Sequence, residues 1–196
     1  NNYIKDAIKN GSKIIVSNLN FEKFNKEKIL FIKNKNPRKA LADAASNFYK
    51  KKPKNIIALT GTNGKTSISN FFYQILSLSK KKVAAIGTLG VLSKKIKLKT
   101  NNTTIDPIKM HQILQKLKNS NIDNVIIEAS SHGLKQHRLD GLNLKTALFT
   151  NLTRDHLDYH KTFKDYLNSK LILFNKLLLN KGCLLYTSPS PRDSSK

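Results

Sequence analysis

The sequence is poor in several residue types, and each shortage narrows the class of protein. Cys183 is the only cysteine among 196 residues, so neither an internal disulfide nor a cysteine-based metal cluster can form. No apolar run approaches the ~20 residues that a membrane-spanning helix needs, and no signal peptide is visible. We therefore expect a soluble cytoplasmic protein. Methionine occurs once, at Met110, and without an initiator methionine we expect part of a longer chain.

Acidic residues are also scarce, because 12 Asp and Glu stand against 36 Lys and Arg and leave a formal net charge of +24. Such an excess is compatible with nucleic-acid binding. However, the only arginines are at positions 38, 138, 154 and 192, and lysines spread along the chain supply the rest. Aromatic residues are not interleaved with arginine as a base-stacking surface requires. We interpret the charge mainly as solvated surface lysine, with a basic nucleic-acid-binding ATPase as an alternative.

One segment has the pattern of a strand, a glycine turn and a helix. The apolar run 56–59 precedes the turn, and an amphipathic pattern follows it at 68–78. This order places backbone N–H groups and a helix N-terminus around one point, which predicts a phosphate-binding loop. Lys65 would reach the outer phosphates and Thr66 would ligate Mg²⁺. Leu59 replaces the usual first glycine, so a chance Gly-Lys-Thr triplet is the alternative. The loop residues are Gly61, Thr62, Asn63, Gly64, Lys65, Thr66 and Ser67.

Apolar and amphipathic segments alternate along the chain, which predicts a mostly parallel, doubly wound α/β sheet. Ligands of such sheets bind at the carboxyl ends of the strands, where Gly61, Glu128 and Asn151 fall. Residues 1–35 are interpreted as the end of one α/β unit, 36–185 as the central domain, and 186–196 as a disordered tail or a cloning-adapter scar. The predicted strands are 13–17, 29–32, 82–87, 91–98, 124–128 and 146–150, and the predicted helices are 3–10, one from Pro37, 108–117 and 163–179.

Three further stretches are dense in polar side chains. Residues 100–107 are typical of a capped turn before a helix that starts at Asp106-Pro107. Glu128 ends a strand above the phosphate loop, where a carboxylate could hold Mg²⁺ or cap a turn. Adjacent Ser131-His132 could suggest a hydrolase, but no nucleophile-elbow pattern surrounds them. His156 and His160 have the i, i+4 spacing of a zinc site, but no Glu partner or third ligand stands close by.

Taken together and in this order, these stretches resemble the Mur ligases. Residues 61–67 are similar to the ATP loop of that family, whose first glycine position also departs from the ordinary pattern. The segments 102–104, 128–138 and 149–160 resemble its successive signatures, and within the family those of the ligases that add the third residue of the peptidoglycan stem peptide. The resemblance runs from about residue 1 to about 185. Ile105 stands where many relatives have proline.

The resemblance implies roles for individual residues. Gly61 to Ser67 would bind ATP, while Glu128 and His156 would join Thr66 in holding Mg²⁺. Lys170 matches a lysine that the family carries as a carbamate, which would make it an anionic oxygen ligand; without the resemblance it would be interpreted as a solvated helix lysine. The implied catalytic residues are Lys65, Glu128, His156 and Lys170. The implied ligands of a UDP-MurNAc-dipeptide are Asn102, Thr103, Thr104, Ser130, Gln136 and Arg138.

The implied reaction is ATP-dependent amide formation through an acyl phosphate, in which the dipeptide of the uridine-linked precursor receives a diamino acid, meso-diaminopimelate or L-lysine. The family has three domains. The tail of the nucleotide-sugar domain would be present here and the C-terminal domain absent, so this chain is not expected to turn over alone. A monomer is expected. The alternatives are another Mur ligase or a folylpolyglutamate synthase-like ligase, against which residues 102–104 and 130–134 argue.

Overall fold

Two separate sheets build the structure, a computed structural model that describes residues 2–19 and 29–186. In the smaller sheet, β1 (Ile14–Ser17) and β2 (Leu30–Lys33) pair in parallel after helix α1 (Asn2–Lys9). Helix α2 (Pro37–Phe48) follows. It starts where the pattern predicts, because the Asn36 side chain caps its N-terminus and proline fits the first helical position.

The larger sheet has seven strands. Its strands are β3 (Asn55–Thr60), β4 (Val83–Gly87), β5 (Gly90–Ser93), β6 (Lys97–Leu98), β7 (Asn124–Glu128), β8 (Leu144–Phe149) and β9 (Leu178–Tyr186). The helices are α3 (Lys65–Leu78), α4 (Pro107–Asn119), α5 (Ser131–Lys135), α6 (Leu157–His160) and α7 (Phe163–Ile172), which continues as a π-helical turn (Leu173–Leu177).

The order of the strands confirms the predicted mostly parallel α/β sheet. Across the sheet they run β6, β5, β4, β7, β3, β8, β9. The last five of these are parallel, and only β5 and β6 are antiparallel additions at one edge. Leu59 of β3 lies opposite Glu128 of β7, and Thr60 lies opposite Phe149 of β8. This register brings the ends of three strands to one place.

Apolar residues cover both faces of the central strands. Ile56, Ala58 and Ile127 belong to the larger core cluster, against which α4 packs. Leu59 and Ile126 point to the opposite face, where the partly buried Phe72 of α3 covers them. A strand buried on both faces reads as a continuous apolar run, and for this reason β3 and β7 were readily predicted.

The structure departs from the prediction at two strands. The predicted strand 91–98 is interrupted, because the Ser93 hydroxyl accepts hydrogen bonds from the N–H groups of Lys95 and Ile96 and turns the chain. The helix predicted for 163–179 ends at residue 177, and β9, which was not predicted, begins at Leu178. From the sequence alone, Leu178 and Leu179 fit the apolar face of a helix as well as they fit a strand. They form a strand because this segment pairs with β8.

Other predictions from the sequence are not settled by the fold. The boundary near residue 36 stays a prediction. Tyr186, the first residue of the predicted tail, ends β9, and the remainder of that tail lies outside the described residues. Within the described ranges, no helix is long and apolar enough to cross a membrane.

Candidate active site

The turn after β3 has the geometry of a phosphate-binding loop. Gly61 has φ +151° and lies against the residues that follow β8, so that a Cβ there would stand 1.8 Å from the Thr150 hydroxyl oxygen. Gly64 has φ +82° and immediately precedes α3. Both positions favour glycine. Because the first N–H groups of a helix have no partner within it, the N-terminus of α3 faces this turn as a site for an anion.

Contacts from the neighbouring strand β8 and from helix α7 fix the loop. Asn151 follows β8; its backbone carbonyl accepts from the Thr62 N–H at 3.0 Å, and its side-chain oxygen accepts from the Asn63 N–H at 2.9 Å. The Thr62 hydroxyl lies 3.0 Å from the buried Tyr166 hydroxyl of α7. The loop is therefore held from β8 and α7 as well as from its own strand.

Two lysine ammonium groups meet at one backbone carbonyl. The Gly61 oxygen accepts from Lys65 Nζ at 2.8 Å and from Lys170 Nζ at 2.7 Å. Lys170 is only 1% exposed and its ammonium lies 4.4 Å from the Tyr166 ring centroid. Burial, and next the Lys65 charge, lower the pKa of Lys170 to about 7, while Asp155 opposes the shift. Burial also lowers the pKa of Lys65. Lys170 is thus not the solvated helix lysine that the lysine-rich sequence would suggest.

Glu128 is buried at the end of β7 beside the first turn of α3. Its carboxylate accepts from the Thr66 hydroxyl at 2.9 Å, the Ser69 hydroxyl at 3.3 Å, and the Thr88 hydroxyl and N–H, both at 3.1 Å. Gly87 makes room for it, since a Cβ there would stand 2.0 Å from a carboxylate oxygen. Glu128 therefore does more than cap a turn: it joins the phosphate loop to the end of β4.

A polar cavity of about 230 Å³ opens beside Glu128. Thr104 connects the two, because its hydroxyl donates to the Glu128 carbonyl at 2.7 Å and accepts from the Ser130 N–H at 2.9 Å. The predicted helix start after residues 100–107 is also present, since the Asp106 side chain caps the N-terminus of α4. The cavity brings together all six predicted substrate ligands and two histidines: Asn102, Thr103, Thr104, Ser130, His132, Gln136, Arg138 and His156.

The histidines around the cavity have different environments. His132 and His156 stand edge to face with ring centroids 5.0 Å apart. His160 is fully buried behind them, 2.9 Å from the Ser131 hydroxyl and 3.3 Å from the Ser169 hydroxyl. Burial is the main cause that lowers the pKa values of His132 and His160.

The structure does not favour the zinc or hydrolase alternatives. His156 precedes α6 with φ +52°, so the i, i+4 spacing with His160 does not place both rings on one helix face. The partner of Ser131 is His160 rather than His132, and Ser131 is 2% exposed, so its hydroxyl is not presented to a substrate.

The donors at the loop fit Mg²⁺ and phosphate. The Thr66 hydroxyl and the Glu128 carboxylate already lie within 2.9 Å of each other, and hard oxygen donors are those that Mg²⁺ prefers. His156 lines the neighbouring cavity. A Lys170 ammonium cannot bind a cation, and only the predicted carbamate of Lys170 could. Within the described ranges, no three His, Cys, Asp or Glu side chains gather as a metal site. The predicted metal ligands include only two side chains of these types, Glu128 and His156.

Sequence reasoning missed several residues of the site. Thr88 was detectable, because it follows β4 at the carboxyl edge of the sheet, where the other site residues lie. His132 stands inside a stretch already singled out. Tyr159 likewise stands inside the stretch 149–160. Tyr166 gave no local signal, because aromatic residues in helices usually belong to the core.

Comparison with known proteins shows clear relatives. The Mur ligase middle domain family matches residues 59–191. UDP-N-acetylmuramoyl-L-alanyl-D-glutamate–2,6-diaminopimelate ligase of Rhizobium meliloti (strain 1021) is 42% identical over 176 residues, which cover 90% of this chain and 36% of the relative. The ligase of the same name from Brucella melitensis is 47% identical over 142 residues, 72% of this chain and 29% of the relative. The chain thus spans about a third of the length of these curated relatives.

Solved structures agree in fold. A ligase structure of that same name superposes with a TM-score of 0.77 at 29% identity, covering 94% of this chain and 37% of the other. The structure of FolC from E. coli in complex with ADP superposes with a TM-score of 0.58 at 16% identity, covering 81% of this chain and 43% of the other. At that identity the second likeness shows a shared fold alone.

Proposed function

The chain belongs to the Mur ligase family, and on that premise we propose that it forms the ATP-binding part of an enzyme that joins 2,6-diaminopimelate to UDP-N-acetylmuramoyl-L-alanyl-D-glutamate in peptidoglycan synthesis. One observation carries the proposal. The phosphate loop, the buried Glu128 and a cavity lined by all six predicted substrate ligands converge at the carboxyl ends of β3 and β7. The names of the relatives supply the amino acid.

The loop residues would hold and polarise ATP. The backbone of 61–67 would surround the β- and γ-phosphates, with Lys65 beside the transferred phosphoryl group. Thr66 and Glu128, with His156 and carbamylated Lys170, would hold Mg²⁺, which when bound neutralises charge that develops on the phosphates. Catalysis would consist mostly of positioning and charge neutralisation.

The cavity would hold the carboxylate that reacts. The γ-carboxylate of D-Glu would attack the γ-phosphorus, with ADP as the leaving group, and the amine of the diamino acid would then displace phosphate from the acyl phosphate and lose a proton. Arg138 provides the cation of the cavity, and Thr104 and Ser130 provide hydroxyl groups beside Glu128. We place this activity in the cytoplasm, where ATP and UDP-linked precursors occur, and propose a monomer.

Lys65→Ala tests the ATP assignment. In the full-length gene product, we expect ADP release that depends on both the UDP-linked dipeptide and diaminopimelate to fall at least ~100-fold, because the loss of a charge that stabilises the transition state typically costs this much. Lys81→Ala is the matched control, because Lys81 is exposed after α3 at the opposite edge of the sheet. Turnover retained in Lys65→Ala would refute the role of Lys65.

Substrate choice is tested separately by titrating the wild-type protein with UDP-N-acetylmuramoyl-L-alanyl-D-glutamate and with folate. We expect binding of the first and none of the second. Binding of folate alone would refute the proposed substrate and would favour a folylpolyglutamate synthase-like activity.

A further inference from the structure

A chain of hydrogen bonds crosses one wall of the polar cavity. Arg138 donates to the Thr104 carbonyl through Nη1, and to the Gln136 side-chain oxygen through Nε at 3.1 Å and Nη2 at 2.7 Å. The Gln136 amide nitrogen then donates to the Tyr159 hydroxyl at 3.2 Å. Tyr159 belongs to α6 and lies 23 residues along the chain from Gln136. The predicted substrate ligands Gln136 and Arg138 are thus supported by helix α6.

The chemistry of these side chains determines which group donates and which accepts in each hydrogen bond from Arg138 to Tyr159. A guanidinium group is only a donor, so Gln136 must present its oxygen to Arg138. The Gln136 nitrogen must then face Tyr159, and the tyrosine hydroxyl must accept. A phenylalanine at position 159 would leave that nitrogen without its acceptor. The amide would then be held only through its oxygen, and Arg138 would lose part of the support that orients it.

Arg138 keeps donors for a ligand. Of its five N–H groups, three are used by Gln136 and Thr104, which leaves two on the terminal nitrogens. Paired N–H groups of arginine suit a carboxylate or phosphate oxygen pair. Since Arg138 lines the cavity, the orientation of its plane decides whether these donors meet such an anion.

Tyr159 itself is firmly placed. Its ring lies against the His132 ring, with centroids 4.0 Å apart, and Lys135 Nζ lies 5.6 Å from its centroid. The neighbouring His160 is buried against Ser131 and Ser169 and anchors the end of α6. The hydroxyl of Tyr159 is therefore a fixed acceptor.

We propose that Tyr159 is a positioning residue of the substrate cavity, which acts through Gln136 to hold the Arg138 guanidinium toward an anionic group of the substrate. This inference rests on the proposed function for the identity of the substrate, the UDP-linked dipeptide. The orientation of Arg138 can be measured without that substrate.

The first experiment reads Arg138 directly. In an NMR spectrum of the arginine Nε–H groups of the full-length gene product, Arg138→Lys identifies the signal of Arg138. We expect Tyr159→Phe to shift that signal and to speed its exchange with water about three- to tenfold, the effect of weakening one hydrogen bond. The matched control is Tyr3→Phe, because Tyr3 is 90% exposed, and it should change nothing.

The second experiment measures calorimetric binding of UDP-N-acetylmuramoyl-L-alanyl-D-glutamate to the full-length gene product. We expect Tyr159→Phe to weaken it about three- to tenfold while the affinity for ADP stays unchanged. In a Gln136→Leu background the same change should have no further effect, because the two residues act as one unit. A general structural role would instead weaken ADP binding too, or add to the effect of Gln136→Leu.

The outcomes distinguish the positioning role of Tyr159 from the proposed function. An unmoved Arg138 signal in Tyr159→Phe overturns the positioning role, and so does a moved signal with unchanged dipeptide binding. A wild-type protein that binds no dipeptide, but whose Arg138 signal moves in Tyr159→Phe, overturns the proposed function and leaves the orientation of Arg138 by Tyr159 in place.

Discussion

Replacing Lys170 by methionine should stabilise the folded protein. Lys170 is 1% exposed and its pKa falls from 10.5 to about 7, mainly because burial disfavours the ammonium. At or below pH 7 this shift corresponds to roughly 5 kcal/mol of unfavourable free energy. Methionine has a similar length and no charge, and the Gly61 carbonyl keeps Lys65 as a donor. After subtracting about 1–2 kcal/mol for the lost hydrogen bond and ring contact, we expect a gain of roughly 3 kcal/mol.

The gain should depend on pH in a defined direction. Between about pH 7 and 10.5 the unfolded chain keeps a proton on Lys170 that the folded chain has released, so wild-type stability rises by about 1.4 kcal/mol per pH unit. The methionine variant lacks this contribution. Its advantage should therefore be largest at pH 7 and below, and should disappear near about pH 9.

Urea unfolding followed by circular dichroism, at pH 6.5, 8 and 9.5, measures both effects. The buffer should contain EDTA and no dissolved CO₂, so that the free amine alone is compared. Lys164→Met is the matched control, because Lys164 is an exposed lysine of the same helix, and it should change stability by no more than about 0.5 kcal/mol. A Lys170→Met protein that is less stable than wild type at pH 6.5, or whose gain is the same at pH 9.5, would refute the reasoning.

Two further predictions concern the loop and the opposite side of the sheet. Gly61→Ala should abolish ADP binding measured by calorimetry, because its Cβ would collide with the Thr150 hydroxyl, whereas Gly11→Ala, also at positive φ but with open space around it, should leave ADP binding intact. Burial lowers the pKa of His111, which is bonded to the Asp140 carbonyl, so the folded state resists its protonation. Stability should fall as the pH drops below 6.5, and urea titrations should show a shallower fall in His111→Leu.

The central strands and the loop were predictable because their causes are local. β3 and β7 are buried on both faces, so their sequences are apolar throughout. The turn at Gly61 and Gly64 requires glycine for its backbone angles, and the helix starts at Pro37 and Pro107 carry their own caps. Each of these features depends on fewer than about ten neighbouring residues.

Contacts between distant segments were not predictable from such patterns. Nothing around Tyr166 indicates that its hydroxyl meets Thr62, which is 104 positions away. The direction of the chain after residue 177 depends on pairing with β8, since an apolar run of this length suits a helix or a strand. The six cavity residues were predicted only through the family resemblance, because a threonine or glutamine in a loop has no pattern that marks it as a ligand.

Lys65 and Lys170 bring two positive charges together at the loop. Two ammonium groups on the Gly61 carbonyl repel each other, and the Lys65 charge is the second cause of the low Lys170 pKa. Glu128 and Asp155 offset the burial of Lys65 only in part, because its pKa stays lowered. A phosphate at the N-terminus of α3 would supply negative charge beside Lys65, and the proposed carbamate would remove the Lys170 cation. The arrangement costs stability in the free protein, and such costs are expected where a site is shaped for a ligand rather than for folding.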